Sequence, residues 1–152
     1  MQQEKAMNES RVVQTRLVLP PDTNHLGSIF GGKVLAYIDE IAAISAMKHS
    51  RSTVVTASID SVNFLSSVKA GDILTLESFV TGTGNTSMEV YVRVHRENLK
   101  TGEQTLTTTS FVTMVAVDDE GNSKPVPKVV PQTEEEKWLY TSSKERREKR
   151  MK

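Results

Sequence analysis

A carboxamide, a pair of glycines and a carboxylate lie within a short stretch of this chain, at Asn24, Gly31-Gly32 and Asp39. Together these residue types can act on a carbonyl group. An Asp with the ordinary pKa of ~3.9 is ionised at neutral pH, and partial burial would make it a better base. Asp39 could take a proton from water as a general base or attack directly as a nucleophile, and sequence does not choose between the two. Asn24 transfers no proton, but its amide donates and accepts hydrogen bonds, so it can orient water or substrate. Glycine lets a ligand approach the backbone, and a helix N-terminus offers free N–H groups and partial positive charge. Gly31 and Gly32 precede or open a helical pattern and could hold a developing oxyanion, with the Gly32 backbone as the best single donor. Each residue also has a plain structural reading. Asp39 could be a solvated helix carboxylate like Glu40, Asn24 a turn residue, and Gly31-Gly32 a tight entry into a helix. His25 is a loop histidine, structural or solvated unless it is itself a base.

Several elements must position these groups. Val12 to Leu19 has strand character and ends at Pro20-Pro21, which cannot continue a ladder. A loop from Asp22 to Ser28 follows, then Phe30-Gly31-Gly32, then a helix over Lys33 to His49. At roughly 100° per residue, Val34, Leu35, Ile38, Ile41, Ala42, Ser45 and Ala46 share one arc. Lys33 and Glu40 fall opposite, and Asp39 sits at the edge of the arc. The rest is strand-like: Thr53 to Phe64, Ile73 to Val80, a period-two run from Met88 to His95, and Thr105 to Val117. In the period-two run, Met88, Val90, Val92 and Val94 make an apolar face, and Glu89, Tyr91, Arg93 and His95 a wetter one. Gly82 to Asn85 reads as a hairpin loop. Thr133 with Glu136 makes a capping-box pattern for a last helix. The order of elements predicts an α+β fold, an antiparallel sheet of about five strands around one long central helix, plus a C-terminal helix. The expected organisation is a flexible N-terminus over 1–10, one domain over 11–122, and over 123–152 an extended segment, the last helix and a frayed, charged tail.

The 152 residues carry 19 basic and 19 acidic side chains, so formal net charge is zero. That balance gives no footprint for nucleic acid or an anionic membrane, though local Lys or Arg can still meet a small anion. There is no cysteine, which removes disulfides, thiolate nucleophiles and Cys-based zinc sites. No metal-ligand spacing, no Gly-x-Ser-x-Gly elbow and no secretory or membrane-spanning run is visible, and a cytoplasmic protein is expected.

The run Asp22-Thr23-Asn24-His25-Leu26-Gly27-Ser28-Ile29-Phe30-Gly31-Gly32, with Asp39 on the following helix, resembles the hotdog-fold acyl-CoA hydrolases. The subgroup is the bacterial short acyl-CoA thioesterases and their tandem-domain animal relatives, including brain acyl-CoA hydrolase. Val55 to Asp60, Phe64 and Gly71-Asp72 support it, and the resemblance covers about Arg11 to Asp118. It implies that two protomers join their sheets and that three such dimers commonly form a hexamer. It implies an active site at the dimer interface, with Asn24 of one protomer facing Asp39 of the other, a fatty acyl-CoA substrate, and no metal or separate cofactor. It sets Thr56, Ala57 and Ser58, with Gly31, beside the coenzyme A part of the substrate. Lys48, Arg51, Lys69, Arg93 and Arg96 are available for its phosphates. Two other functions remain open on the same resemblance: a hydroxyacyl thioester dehydratase using His25, and a non-catalytic acyl-CoA-binding module.

Overall fold

The computed structural model describes residues 3–150. The behaviour expected of Met1, Gln2, Met151 and Lys152 lies outside the described residues. The long helix α1 (Gly31–Ser50) and five strands β2 (Val12–Leu17), β3 (Thr53–Phe64), β4 (Ile73–Thr83), β5 (Ser87–Glu97) and β6 (Gln104–Val117) make the body of the fold. A short strand β1 (Glu4–Ala6) precedes them, and β7 (Lys128–Val130) and helix α2 (Glu134–Arg150) follow. The main sheet is antiparallel in the order β2-β4-β5-β6-β3. It curls around α1, the α+β arrangement that the resemblance implies.

One face of α1 and the apolar face of the sheet make a common core. Val34, Ile38, Ile41, Ala42 and Ala46 pack with Leu74, Leu76, Val80, Met88, Val90, Val92, Val94, Val112 and Met114, all buried. Burying each Val, Leu, Ile or Met side chain among these contributes about 1.5–3 kcal/mol. Leu35, expected in the buried arc, is only half-buried, and the buried face extends instead to His49. Ser45 Oγ lies 2.5 Å from Ser78 Oγ, and Ser78 Oγ donates to the Ile41 carbonyl at 3.1 Å, so these two hydroxyls, buried between helix and sheet, are satisfied.

The face of β5 read as wet is covered. Helix α2 crosses it, and the Glu89 side chain is 3% exposed, held by Arg146 (2.8 and 2.9 Å), Arg150 (3.2 Å) and Thr81 (2.6 Å). Phe79, Tyr91 and Phe111 form a row across this face, with Arg11 over Phe79 at 4.1 Å and Arg146 over Phe111 at 3.9 Å. The charged segment beyond Ser143, expected to fray, is therefore helical through Arg150, because Arg146 and Arg150 lie one turn apart and converge on one carboxylate. The capping box at its start forms as predicted: Glu136 N–H donates to Thr133 Oγ1 (3.1 Å), and Thr133 N–H to Glu136 Oε1 (3.3 Å).

The flexible N-terminus expected over residues 1–10 is not what residues 4–10 form. Glu4–Ala6 pair in parallel with Lys128–Val130, and Met7 is fully buried. The polar composition of this segment hides one apolar anchor and a backbone that pairs with the proline-rich 123–131 stretch. Among the described residues, no helix is long and apolar enough to cross a membrane.

His49 joins this terminal layer to α1. It is fully buried, and its Nε2 donates to the Pro127 carbonyl at 2.7 Å, which leaves Nδ1 buried without a partner. Burial, partly offset by the Pro127 hydrogen bond, holds its pKa below the ordinary histidine value. The unfolded chain then binds a proton that the folded chain does not, so stability is complete above about pH 6.5 and falls as the pH drops below it. Denaturant unfolding should show a steeper acid loss for wild type than for His49→Gln; parallel profiles would remove His49 as the source.

Candidate active site

The loop between β2 and α1 is built by backbone bonds that fix Asn24. Its Oδ1 accepts from the N–H of Leu26 (2.9 Å) and of Ser28 (3.3 Å), and its own N–H donates to the Ser28 carbonyl (2.8 Å). The turn closes at Gly27, whose φ of +79° favours glycine and whose N–H donates to the Asn24 carbonyl at 3.0 Å. With Oδ1 committed to the turn, Nδ2 is the group Asn24 has to offer, and it is a donor only. Ile29 and Phe30 tie the loop down through the carbonyls of Val68 (2.7 Å) and Asp22 (3.1 Å).

Gly31 and Gly32 form the first turn of α1, two residues earlier than the expected helix start. Phe30 is the N-cap and makes no side-chain cap hydrogen bond, so the first N–H groups of α1 remain open to a ligand. A Cβ on Gly32 would meet nothing within 4 Å, and its φ lies outside the left-handed range. Neither packing nor backbone conformation within the protomer requires glycine there.

Asp39 is half-buried at the boundary of the packed helix face, as its angular position predicts. Thr56 Oγ1 donates to Asp39 Oδ1 at 2.7 Å and lies 3.5 Å from Met114 Sδ. The Thr56 hydroxyl is thus committed to Asp39, a contact across 17 residues that sequence reasoning missed. Ala57 sits at a register shift between Thr56 and Ser58, and the Ser58 hydroxyl donates to Asp60 (3.2 Å). Thr56, Ala57 and Ser58 lie on β3, an edge strand with Val55 and Phe64 about half exposed. No hydrogen bond joins Asn24 to Asp39 within the described protomer.

A cleft of about 380 Å³ opens between the first turn of α1 and the segment after β3, lined by Ile29, Gly31, Val34, Phe64, Leu65 and Val68 among others. Phe64 Cζ would touch a Cβ on Gly31 at 3.5 Å, so Phe64 and the helix N-terminus share this wall. Of the basic residues considered for phosphates, Arg93 is committed to Glu77 (2.6 Å) and Glu135 (2.8 Å), and Arg96 donates to the Ser67 carbonyl (2.9 Å). Arg93 is removed from that set, because α2 closes over it. His25 is exposed on the loop surface. Among the described residues, no group of three His, Cys, Asp or Glu could hold a metal.

Residues 26–103 match the thioesterase superfamily model. The chain is 51% identical to an uncharacterized acyl-CoA thioester hydrolase of Bacillus subtilis, over 93% of this chain and 83% of that protein. It superposes on a hexameric acyl-CoA thioesterase, solved in its apo form, with a TM-score of 0.96 and 70% identity, covering 98% of this chain and 96% of that one. It also superposes on an acyl-CoA hydrolase of Staphylococcus aureus, solved with butyryl coenzyme A and coenzyme A, with a TM-score of 0.94 and 47% identity over 97% of this chain and 90% of that one. The chain belongs to the thioesterase superfamily, and its hotdog architecture is that of these acyl-CoA thioesterases.

Proposed function

We propose that the protein hydrolyses acyl-CoA to free acid and coenzyme A, at a site completed by two protomers. The observation that carries this reading is the Asp39 carboxylate, oriented by Thr56 at the β3 edge. Its complement, the Asn24 amide and the open N–H groups at Gly31-Gly32, belongs to the N-terminal end of the same helix. Pairing two β3 edges about a two-fold axis runs the two α1 helices in opposite directions, so the N-terminal end of one faces Asp39 of the other. The dimer is the minimal active unit and three dimers make a hexamer, in keeping with the hexameric relative. In the Staphylococcus aureus hydrolase, alanine variants have been solved at an Asn, an Asp and a Thr separated by the same 15 and 17 residues that separate Asn24, Asp39 and Thr56.

In the reaction, Asp39 takes a proton from a water aligned by Asn24 Nδ2. The hydroxide forms a C–O bond to the thioester carbon, and the carbonyl oxygen gains charge against the Gly32 N–H. Collapse breaks the C–S bond, and the proton on Asp39 returns to the departing thiolate. Attack by Asp39 itself, through an anhydride, is the second route to the same products. The apolar cleft beside Gly31 takes the acyl chain. Gly31, Ala57 and the β3 backbone border the pantetheine arm, and Thr56 serves as the positioning residue for Asp39. A dehydratase would need His25 as its base, and that ring is exposed while Asp39 is half-buried and oriented. The reaction needs no cofactor beyond the coenzyme A of the substrate, and its setting is the cytoplasm.

The test is release of free thiol from short, medium and long acyl-CoAs. The enzyme adds no background, because it has no cysteine. Gly32→Ala separates catalysis from folding. Stability should hold or rise by up to ~1 kcal/mol, since Ala favours helix. Meanwhile kcat/KM should fall at least about tenfold, as the methyl stands where the carbonyl oxygen must approach. Unchanged turnover in Gly32→Ala would dismiss Gly32 as the oxyanion donor, and no thiol from any acyl-CoA with wild type would dismiss the hydrolase reading.

A further inference from the structure

We infer that the outer face of the sheet carries a phosphate-binding site, between the β4–β5 hairpin and the last turns of α2. A pocket of about 110 Å³ lies there, and Thr113, Ser87, Lys144 and Arg147 are among its lining residues. A single water needs only roughly 10–15 Å³ by this measure, so there is room for a tetrahedral oxyanion. Thr113 points away from the neighbouring Met114, which packs toward α1, so the pocket is on the opposite side of the sheet from Asp39.

Three observations converge. First, Thr113 Oγ1 is buried and has no hydrogen-bond partner, which in a lining residue calls for a group that fills the space. Second, the one carboxylate in the lining, Glu89, is already neutralised by Arg146 and Arg150, while neither Lys144 nor Arg147 forms an ion pair among the described residues. The pocket therefore has a positive surplus facing a hydroxyl donor. Third, the backbone makes way for the cations. A Cβ on Gly84 would lie 3.0 Å from both terminal nitrogens of Arg147 and 2.6 Å from Ser87 Oγ, and one on Gly82 would lie 2.8 Å from Ser143 Oγ. The two glycines let α2 bring Ser143 and the Arg147 guanidinium close against the hairpin. A planar guanidinium, an ammonium and a hydroxyl around a small cavity suit a phosphate group, which accepts from all three.

Titration calorimetry of inorganic phosphate and pyrophosphate into the full-length oligomer at low salt tests this. Wild type should bind, and binding should weaken as salt is added. Lys144→Gln and Arg147→Gln should each weaken it about tenfold, the loss expected for one charge-assisted hydrogen bond. Gly84→Ala keeps every charge but displaces Arg147, and should weaken it similarly. No heat from wild type, or full affinity in the Lys144→Gln/Arg147→Gln double variant, would overturn the site. A second arm compares turnover of acyl-CoA with that of acyl-dephospho-CoA, and rests on the hydrolase reading. If Arg147→Gln lowers kcat/KM for acyl-CoA alone, the phosphate is the substrate's own 3′-phosphate. If it changes neither, the ligand is a separate phosphoanion.

Discussion

Asp39→Asn is expected to lower kcat by about 10²- to 10⁴-fold, the contribution of a positioned general base, while the fold and the oligomer stay intact. The substitution changes little else. Asn keeps an oxygen that can accept from Thr56 Oγ1, so the helix, the β3 edge and the side-chain position are all preserved. What is lost is the ability to take a proton or to attack. Thiol release measured beside size-exclusion chromatography reads both halves. Turnover within a few fold of wild type would remove Asp39 from the chemistry, and a dissociated or unfolded variant would mean its role is structural.

Phe79→Ala is expected to cost about 3–5 kcal/mol in chemical denaturation, the range for deleting a buried ring from a packed core. Phe79 is fully buried and sits where three layers meet. Tyr91 approaches edge-on with ring centroids 5.9 Å apart, and Arg11 stacks at 4.1 Å. Arg11 in turn pairs with Glu77 and Glu136, so the ring supports both the N-terminal segment and the start of α2. A loss below about 1 kcal/mol would mean that this outer layer does not unfold with the core.

Much of this fold was legible because the signals are local. The arc from Val34 to Ala46 found α1, alternation found β5, and Thr133 with Glu136 found the start of α2. Asp39 at the arc edge and the glycines at the helix start were legible for the same reason, as positions on one element. What sequence could not supply was the partner of each face. Glu89, Tyr91 and Arg93 alternate like a solvated row, but the element that covers them begins at Glu134, far along the chain. Gly82 to Asn85 read as a hairpin loop, and Gly84 and Asn85 do form the turn, but Gly82 and Thr83 do not. In fact β4 runs through Thr83, with a register shift after Val80, and α2 packs against both glycines. The Thr56–Asp39 contact was hidden likewise, since no periodicity on β3 says which residue of α1 lies opposite.

The central claim is that Asn24 and Asp39 act on one substrate from two protomers. It is tested most directly by co-refolding Asn24→Ala with Asp39→Ala and measuring thiol release from an acyl-CoA. Each variant alone should be nearly inactive. In the mixture, half of the dimers are hybrids, and each hybrid holds one site with both groups intact, so activity should return to about a quarter of wild type. If mixed oligomers form and thiol release stays at the level of the separate variants, Asn24 and Asp39 do not meet across the interface, and the shared site is wrong.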